Sequence, residues 1–307
     1  MVFINLEVTN RCNLQCKYCC NADGITTKND ESLYFRTDRL ENFSNLDFDF
    51  TVLITGGEPT LAKDLQDYVI GLGKIDNCKS ILIFSNLIQD ENYWDSFIGI
   101  KGIKKIRIIG SYHAEYRSQT NFVRKAKYIS KLDLDLSVQF MFSDTSDEIF
   151  EDYKELTESL DSVNLTNIRD EGIYKNEVKH DENYNRFYSY IKVAKEYDKY
   201  EGKYEFKGKE LVQDIFEKLD NFKYIYNDKM ITDLEASKFD NFIGWNCTPL
   251  VFSTNNVFTD EELTFRNICS SKEFDINSLN ICVNSGDYIK CPYNKCKGSN
   301  RNSLKFK

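Results

Sequence analysis

Short apolar runs rich in β-branched residues recur along the first half of the chain, and several are followed by stretches whose apolar residues have helical spacing. The runs predict six strands, at residues 3–9, 51–55, 80–85, 105–111, 136–142 and 162–168. The stretches predict amphipathic helices, at residues 61–74, 121–132 and 147–160. Strand–helix alternation of this kind implies βαβ crossovers, and therefore an α/β fold with a parallel sheet covered by helices.

Six such units predict either an open partial barrel or a doubly wound sheet. In both arrangements the functional face lies at the carboxyl ends of the strands. We therefore expect the residues that carry chemistry to lie in the loops that follow the strands.

The pattern changes beyond residue 170, where the chain is charged and rich in tyrosine. In this connecting region, residues 171–241, we predict two helices, at 184–199 and 209–219, and two short strands, at 204–208 and 222–231. Residues 242–307 carry half of the cysteines and predict two β-hairpins, at 250–269 and 279–292. The chain is thus divided into a core at residues 1–170, the connecting region and a small cysteine-rich domain.

Composition limits the class of protein. The chain has 307 residues, of which 41% are hydrophobic and 29% charged, so it is expected to be globular. No stretch approaches the ~18 apolar residues needed to cross a bilayer, and the first ten residues, MVFINLEVTN, show no signal peptide. We therefore expect a cytoplasmic protein with no membrane partner. The formal net charge of −9 argues against bulk nucleic-acid binding, although it leaves a nucleotide substrate open.

Four cysteines crowd into the stretch RCNLQCKYCC, residues 11–20. In a reducing compartment clustered thiols favour a metal site over disulfides. Cys12, Cys16 and Cys19 form C-x3-C-x2-C just past the first strand, and three such thiolates can hold three corners of a [4Fe–4S] cluster while the fourth iron stays open. Structural zinc would need a fourth ligand, for which Cys20 is available, although adjacent cysteines rarely both reach one ion.

A second motif, TGGEPT at residues 55–60, ends the second predicted strand. Paired glycines let a ligand approach the backbone closely, and Pro59 suits the first position of a helix. Alone, this motif indicates only a tight turn between a strand and a helix. Its combination with the cysteine motif is far more specific.

With both motifs, residues 1–170 resemble the radical S-adenosylmethionine (SAM) superfamily. The resemblance implies a partial (β/α)6 barrel in which Cys12, Cys16 and Cys19 hold a [4Fe–4S] cluster and SAM chelates its open iron. It also implies that several residues contact SAM. They are Tyr18 at the adenine, Gly56, Gly57 and Glu58 at the methionine amino group, Ser85 and Asn86 after the third strand, Ser111 at the ribose, and Gln139 on the fifth strand.

His113 and Glu115 follow the fourth predicted strand and are our candidates for catalytic residues. His113 is one of only two histidines in the chain. A histidine on the functional face can accept a proton or contact the substrate. The alternative is a structural histidine that bonds to the backbone of its loop.

A second set of cysteines lies near the end of the chain, with Cys282 among them at an apolar position that predicts a core residue. The set is Cys247, Cys269, Cys291 and Cys296. This segment resembles the twitch, or SPASM-like, domain that follows many radical SAM barrels, which implies an auxiliary [4Fe–4S] cluster bound by four protein cysteines. The final spacing is C-x4-C where C-x2-C is commoner, and zinc in this segment stays open.

The expected function follows from these resemblances. They imply an oxidoreductase that cleaves SAM reductively to a 5′-deoxyadenosyl radical, with electrons from a flavodoxin- or ferredoxin-type donor. The radical would take a hydrogen atom from a small polar substrate, a sugar or a nucleotide, and the auxiliary cluster would help to oxidise or rearrange it. One alternative is modification of a ribosomally made peptide, which we favour less because the first strand starts at residue 3 and leaves no leader-binding domain before it. The other is a zinc-stapled binding protein without catalysis.

Overall fold

The computed structural model describes thirteen stretches of the chain. They are residues 2–19, 24–28, 35–98, 106–142, 146–167, 223–226, 229–231, 246–247, 251–255, 262–267, 272–285, 289–290 and 304–306. The predicted helices at 184–199 and 209–219 and the predicted strand at 204–208 lie outside them.

The six predicted strands of the first half are confirmed. They are β1 (Val2–Thr9), β2 (Phe50–Gly56), β3 (Cys78–Ser85), β4 (Ile106–His113), β5 (Asp135–Phe142) and β6 (Val163–Asn167). Each pairs in parallel with the next along the chain. The predicted α/β fold with a parallel-rich sheet is therefore confirmed, and closure into a partial barrel stays a prediction.

Five helices among the described residues cover this sheet, and α1, α4 and α5 lie in the three stretches where the apolar spacing predicts helices. They are α1 (Leu65–Gly73), α2 (Glu91–Asp95), α3 (Arg117–Thr120), α4 (Phe122–Ile129) and α5 (Asp147–Ser159), with 3-10 helices at Thr37–Asn45, Pro59–Leu61 and Ala114–Tyr116. The first predicted helix begins later than expected because Ala62 has extended backbone angles and separates the 3-10 turn after Pro59 from α1.

The two faces of the sheet differ in polarity. In β1, Val2, Ile4, Leu6 and Val8 are at most 3% exposed and pack into the core. Phe3, Asn5 and Glu7 alternate with them, point the other way and are half-buried, as the two-residue period of a strand requires. We call this second side of the sheet the open face; its polar side chains include Asn5, Glu7, Thr55, Ser111, His113 and Gln139.

Two groups of strands come from the second half of the chain. One group forms a separate sheet of β7 (Lys223–Tyr226), β8 (Lys229–Ile231), β9 (Asn246–Cys247), β13 (Ile289–Lys290) and β14 (Leu304–Phe306). The pairing of β7 with β8 confirms the strands predicted at 222–231. The other group, β10 (Val251–Asn255), β11 (Thr264–Asn267) and β12 (Glu273–Phe274), continues the main sheet beyond β1, which gives that sheet nine strands among the described residues.

The first predicted hairpin, at 250–269, is confirmed, since β10 and β11 pair antiparallel. The second hairpin, at 279–292, is wrong, because Ile276–Asn284 forms a helix, α6. The Asp275 side chain caps this helix by accepting a hydrogen bond from the Ser278 N–H at 2.7 Å. Spacing of three between Ile276, Leu279 and Cys282 brings them to one side of the helix, which a period of two could not do. Cys282 is 8% exposed within the core, as predicted.

Among the described residues, no helix is both long enough and apolar enough to cross a membrane.

The helix at 276–284 can be tested against the hairpin that the sequence suggested. Leu279 is fully buried and Ile281 is 67% exposed. We expect Leu279→Ala to lower the free energy of unfolding by ~2–5 kcal/mol and Ile281→Ala to change it by less than ~0.5 kcal/mol, as measured by urea denaturation followed by circular dichroism. In a strand the two side chains would share one face, so similar losses from both variants would contradict the helix.

Candidate functional site

The cysteine loop, residues 10–19, follows β1. Cys12, Cys16 and Cys19 are free thiols and all three are partly buried. The loop is anchored by the fully buried Leu14 and by a hydrogen bond from the Cys12 N–H to the Thr26 carbonyl at 2.9 Å. The structure therefore brings the three predicted ligands together on one ordered turn, while Cys20 lies outside the described residues.

Two glycines at the end of β2 let the cysteine loop pack directly against the backbone of that strand. The Gly57 N–H donates to the Thr9 carbonyl and the Glu58 N–H donates to the Arg11 carbonyl, both at 2.7 Å. A Cβ at Gly56 would lie 2.2 Å from the Thr9 oxygen, and one at Gly57 would lie 2.2 Å from the Arg11 oxygen. Gly56 also has a φ of +132°, which side chains disfavour.

These contacts give the glycines a role that the sequence did not reveal. We expected the missing Cβ atoms to make room for a ligand, whereas in the structure they make room for the cysteine loop. The predicted contacts of Gly56 and Gly57 with SAM stay predictions.

Glu58 joins the ends of β2 and β3. Its carboxylate is 1% exposed and accepts hydrogen bonds from the Thr60 N–H and hydroxyl, from the Ser85 hydroxyl at 2.7 Å and from the Asn86 N–H at 2.7 Å. Burial raises the pKa of Glu58, and these donors oppose the shift. Glu58 thus positions Ser85 and Asn86, and its predicted contact with SAM is not tested.

Asn86 carries the connection on to the cysteine loop. Its side-chain N–H donates to the Asn13 side-chain oxygen at 3.0 Å. Its own Oδ1 is buried and has no hydrogen-bond partner among the described residues. Buried polar atoms are rarely left unpaired, so this oxygen is available to a ligand held between the cysteine loop and β3.

The segment after β4 contacts the same loop from another side. The Tyr18 hydroxyl lies 2.8 Å from His113 Nδ1, and the two rings stack with centroids 5.8 Å apart. Cys16 Sγ lies 3.6 Å from the same nitrogen. The Gln15 N–H donates to the Tyr116 hydroxyl at 3.3 Å. His113 is therefore placed beside the candidate metal ligands.

The remaining predicted residues lie nearby on the open face. Ser111 and Gln139 are paired in register on β4 and β5, and both are half-buried. Glu115 lies in the 3-10 helix that follows His113, close enough for its charge to act on the Cys16 thiol. Of the predicted second set of cysteines, Cys247 lies in β9, whereas Cys269, Cys291 and Cys296 lie outside the described residues.

Burial dominates the electrostatics of the protein without metal. It raises the pKa of Cys12 to about 11 and that of Cys16 to about 12, and the Glu58 and Glu115 charges add to the respective shifts. Burial lowers the pKa of His113 to about 4, so its imidazole is neutral at pH 7. The Cys12 and Cys16 thiols are protonated at that pH, and metal binding must release their protons.

Residues 6–101 match the family model described as the Radical SAM superfamily. Among curated proteins, the chain is similar to the GTP 3′,8-cyclase of Listeria welshimeri, with 29% identity over 161 residues that cover 48% of this chain and 48% of that protein. The chain thus spans about half the length of the curated relatives it matches. The match and these relatives confirm the prediction of an enzyme and leave its reaction open.

Two solved structures show partial similarity. Streptococcus suis SuiB bound to S-adenosylmethionine is 17% identical, with a TM-score of 0.44 over 62% of this chain and 44% of that chain. BtrN in an open conformation is 25% identical, with a TM-score of 0.30 over 45% of this chain and 64% of that chain.

The superfamily implies a [4Fe–4S] cluster and SAM, and the residues present fit both. Three free thiols on one loop supply the soft ligands that iron–sulfur clusters take. No three His, Cys, Asp or Glu side chains of the described residues converge closely enough to hold a single metal ion. A [4Fe–4S] cluster does not require three sulfurs to meet at one ion, because each thiolate binds a different iron. The unpaired Asn86 oxygen adds a polar group for a ligand beside the cysteine loop.

One set of interactions around the site was not predicted from the sequence. Asp152 on α5 is 7% exposed and accepts hydrogen bonds from the Tyr112 hydroxyl at 2.7 Å and from Arg117 Nη2 at 2.9 Å. Tyr112 and Arg117 flank residues 113–116, so Asp152 ties both ends of that segment to the helix. An acidic residue in an amphipathic helix usually indicates a solvated position, and nothing in the local pattern marks this one as buried.

The glycine contact predicts an effect on metal binding. In Gly57→Ala the new methyl group would overlap the Arg11 carbonyl, so the cysteine loop must move. We expect this variant to lose most of the iron that the cysteine loop of the wild type takes up on anaerobic reconstitution. Gly71→Ala is the matched control, because its methyl group would meet only the movable end of the Leu40 side chain. A Gly57→Ala protein with wild-type iron content would contradict the proposed docking.

The Asp152 interactions predict an effect on stability. Asp152→Ala would leave the buried Tyr112 hydroxyl without its acceptor, and we expect the free energy of unfolding to fall by ~1–3 kcal/mol. Glu155→Ala on the same helix removes a pair with Lys127 between side chains that are 50% and 39% exposed. That control should change stability by at most ~1 kcal/mol. Urea denaturation compares the two, and equal effects would show that Asp152 is not the anchor described here.

Proposed function

We propose that this chain is a radical SAM enzyme that removes a hydrogen atom from a small polar substrate of the sugar or nucleotide type. One observation carries the proposal: Cys12, Cys16 and Cys19 are free, partly buried thiols on one loop, and the backbone N–H groups of Gly57 and Glu58 hold that loop against the end of β2. This is the ligand set for a [4Fe–4S] cluster with one open iron.

The cluster and SAM, when bound, supply a one-electron reduction that yields methionine and a 5′-deoxyadenosyl radical. The protein binds, orients and shields these groups. Asn86 Oδ1 would accept a hydrogen bond from SAM beside the cysteine loop. Ser111 and Gln139 would contact SAM or substrate from the open face, where alignment of the reacting atoms lowers the barrier.

The substrate class is supported by two features. The open face carries polar side chains, such as the pair of Thr55 and Asn5, whose oxygens lie 2.6 Å apart. The curated relatives are named for a nucleotide, GTP, although the match covers only 48% of this chain. Both features favour a small polar metabolite over a ribosomally made peptide.

Two further components belong to the proposal. Cys247, Cys269, Cys291 and Cys296 would hold an auxiliary [4Fe–4S] cluster that accepts or relays an electron during substrate oxidation. A flavodoxin- or ferredoxin-type protein would supply the electron for SAM cleavage. The net reaction would then be an oxidation.

The proposal predicts the outcome of an anaerobic reconstitution. The wild-type protein should bind about eight irons if both clusters form and should produce 5′-deoxyadenosine from SAM and dithionite. The variant in which Cys12, Cys16 and Cys19 are all Ala should produce none while it keeps the iron of the second set. Cys78→Ala is the control, because that thiol is 5% exposed in the core and far along the chain from either set.

SAM cleavage by the triple variant would refute the assignment of the ligands. A colourless protein with stoichiometric zinc would favour the non-catalytic alternative.

A further inference from the structure

Three side chains of the site form a small polar group whose purpose the proposed function does not explain. The Tyr18 hydroxyl is within 2.8 Å of His113 Nδ1, and it lies close enough to the Cys16 sulfur to lower the pKa of that thiol as a hydrogen-bond donor. His113 Nδ1 is itself 3.6 Å from that sulfur. The only ring nitrogen of His113 with a described hydrogen bond therefore faces a candidate metal ligand and not the centre of the open face.

The direction of these hydrogen bonds follows from the state of Cys16. As a ligand to iron, Cys16 is a thiolate, and a thiolate only accepts hydrogen bonds. The Tyr18 hydroxyl must then donate to the sulfur, which leaves its oxygen to accept a hydrogen bond. His113 Nδ1 supplies that bond when it carries the ring proton, so the chain runs from His113 through Tyr18 to Cys16.

We propose that His113 and Tyr18 are positioning residues that raise the reduction potential of the SAM-binding cluster by donating hydrogen bonds toward the Cys16 sulfur. The proposal rests on the proposed function, since it requires a cluster on Cys16. Reduction adds one electron to the cluster and increases the negative charge on its sulfur ligands. Donors that point at a ligand sulfur stabilise the reduced state and so raise the potential. A donor that is itself polarised by a second hydrogen bond does so more strongly.

This role differs from the catalytic role that the sequence suggested for His113. In this chain of hydrogen bonds Nδ1 is a proton donor, so a proton-accepting role would fall to the other ring nitrogen, Nε2. The contacts of Nδ1 instead lie with Tyr18 and Cys16, and the tyrosine ring stacks on the imidazole at an interplanar angle of 19°. Asp152 holds both ends of the segment that carries His113, and this keeps the imidazole beside the cysteine loop.

The experiment is a redox titration of the reconstituted protein with dithionite, without SAM. The electron paramagnetic resonance signal of the reduced cluster measures the fraction of protein that is reduced at each potential. Tyr18→Phe and His113→Leu should each shift the midpoint potential to more negative values. His113→Asn should stay closer to the wild type, because the asparagine amide can place an N–H near the position of Nδ1. The double variant Tyr18→Phe, His113→Leu should shift no further than Tyr18→Phe alone, because the two act in one chain.

Tyr116→Phe is the matched control, since it removes a hydrogen bond between the same two segments without touching a sulfur. A structural role alone predicts that Tyr116→Phe and Tyr18→Phe behave alike, and that result would overturn the inference. Unchanged potentials in iron-replete Tyr18→Phe and His113→Leu variants would overturn it as well. If His113→Leu fails to bind iron, the comparison of Tyr18→Phe with Tyr116→Phe still decides. Failure of the wild type to form any reducible cluster would refute the proposed function itself.

Discussion

The candidate site depends on one close contact between two stretches of backbone. Gly57 and Glu58 donate hydrogen bonds to the carbonyls of Thr9 and Arg11, and a Cβ on either Gly56 or Gly57 would collide with those same carbonyls. The cysteine loop therefore takes its position from the end of the neighbouring strand. Side chains then extend the arrangement. Glu58 fixes the end of β3, and Asn86 reaches back from there to the loop at Asn13.

A second constraint comes from the opposite side of the loop. Tyr116 and His113 contact it from the end of β4, and Asp152 holds that segment through Tyr112 and Arg117. Ends of strands β1 to β4 thus meet around the three thiols. This convergence is what a parallel sheet offers, because the carboxyl ends of its strands lie along one edge. On the open face, the polar side chains of Ser111 and Gln139 lie half-buried on the neighbouring strands β4 and β5.

Much of the fold could be predicted from the sequence because its signals are local. β-branched runs predicted all six strands of the first half, and helical spacing predicted the main helices that cover them. The second hairpin was wrong because LNICVN contains residues common in strands, while its burial follows a spacing of three that depends on contacts with the core. The position of β10 beside β1 could not be predicted either, since this pairing joins residues about 250 apart in the chain.

The metal ligands could be predicted because their chemistry requires particular residue types. The residues that hold these ligands in place could not, because many residue types can form a hydrogen bond across the fold. Three cysteines and a GGEP turn are rare enough to indicate the superfamily whose model matches residues 6–101. Asp152, Asn13 and Tyr116 act through tertiary contacts, and no short pattern marks them. The contact of the glycines with the cysteine loop could not be predicted for a related reason: the sequence shows that a side chain is missing but not which neighbour fills the space.

The central claim is that Cys12, Cys16 and Cys19 hold a four-iron cluster whose open iron binds SAM. The most direct measurement is electron–nuclear double resonance on the dithionite-reduced wild-type protein with SAM labelled at the methionine amino nitrogen with 15N. The account predicts a 15N coupling to the cluster that is absent without SAM. A reduced cluster that shows no coupling to the label at saturating SAM would contradict it.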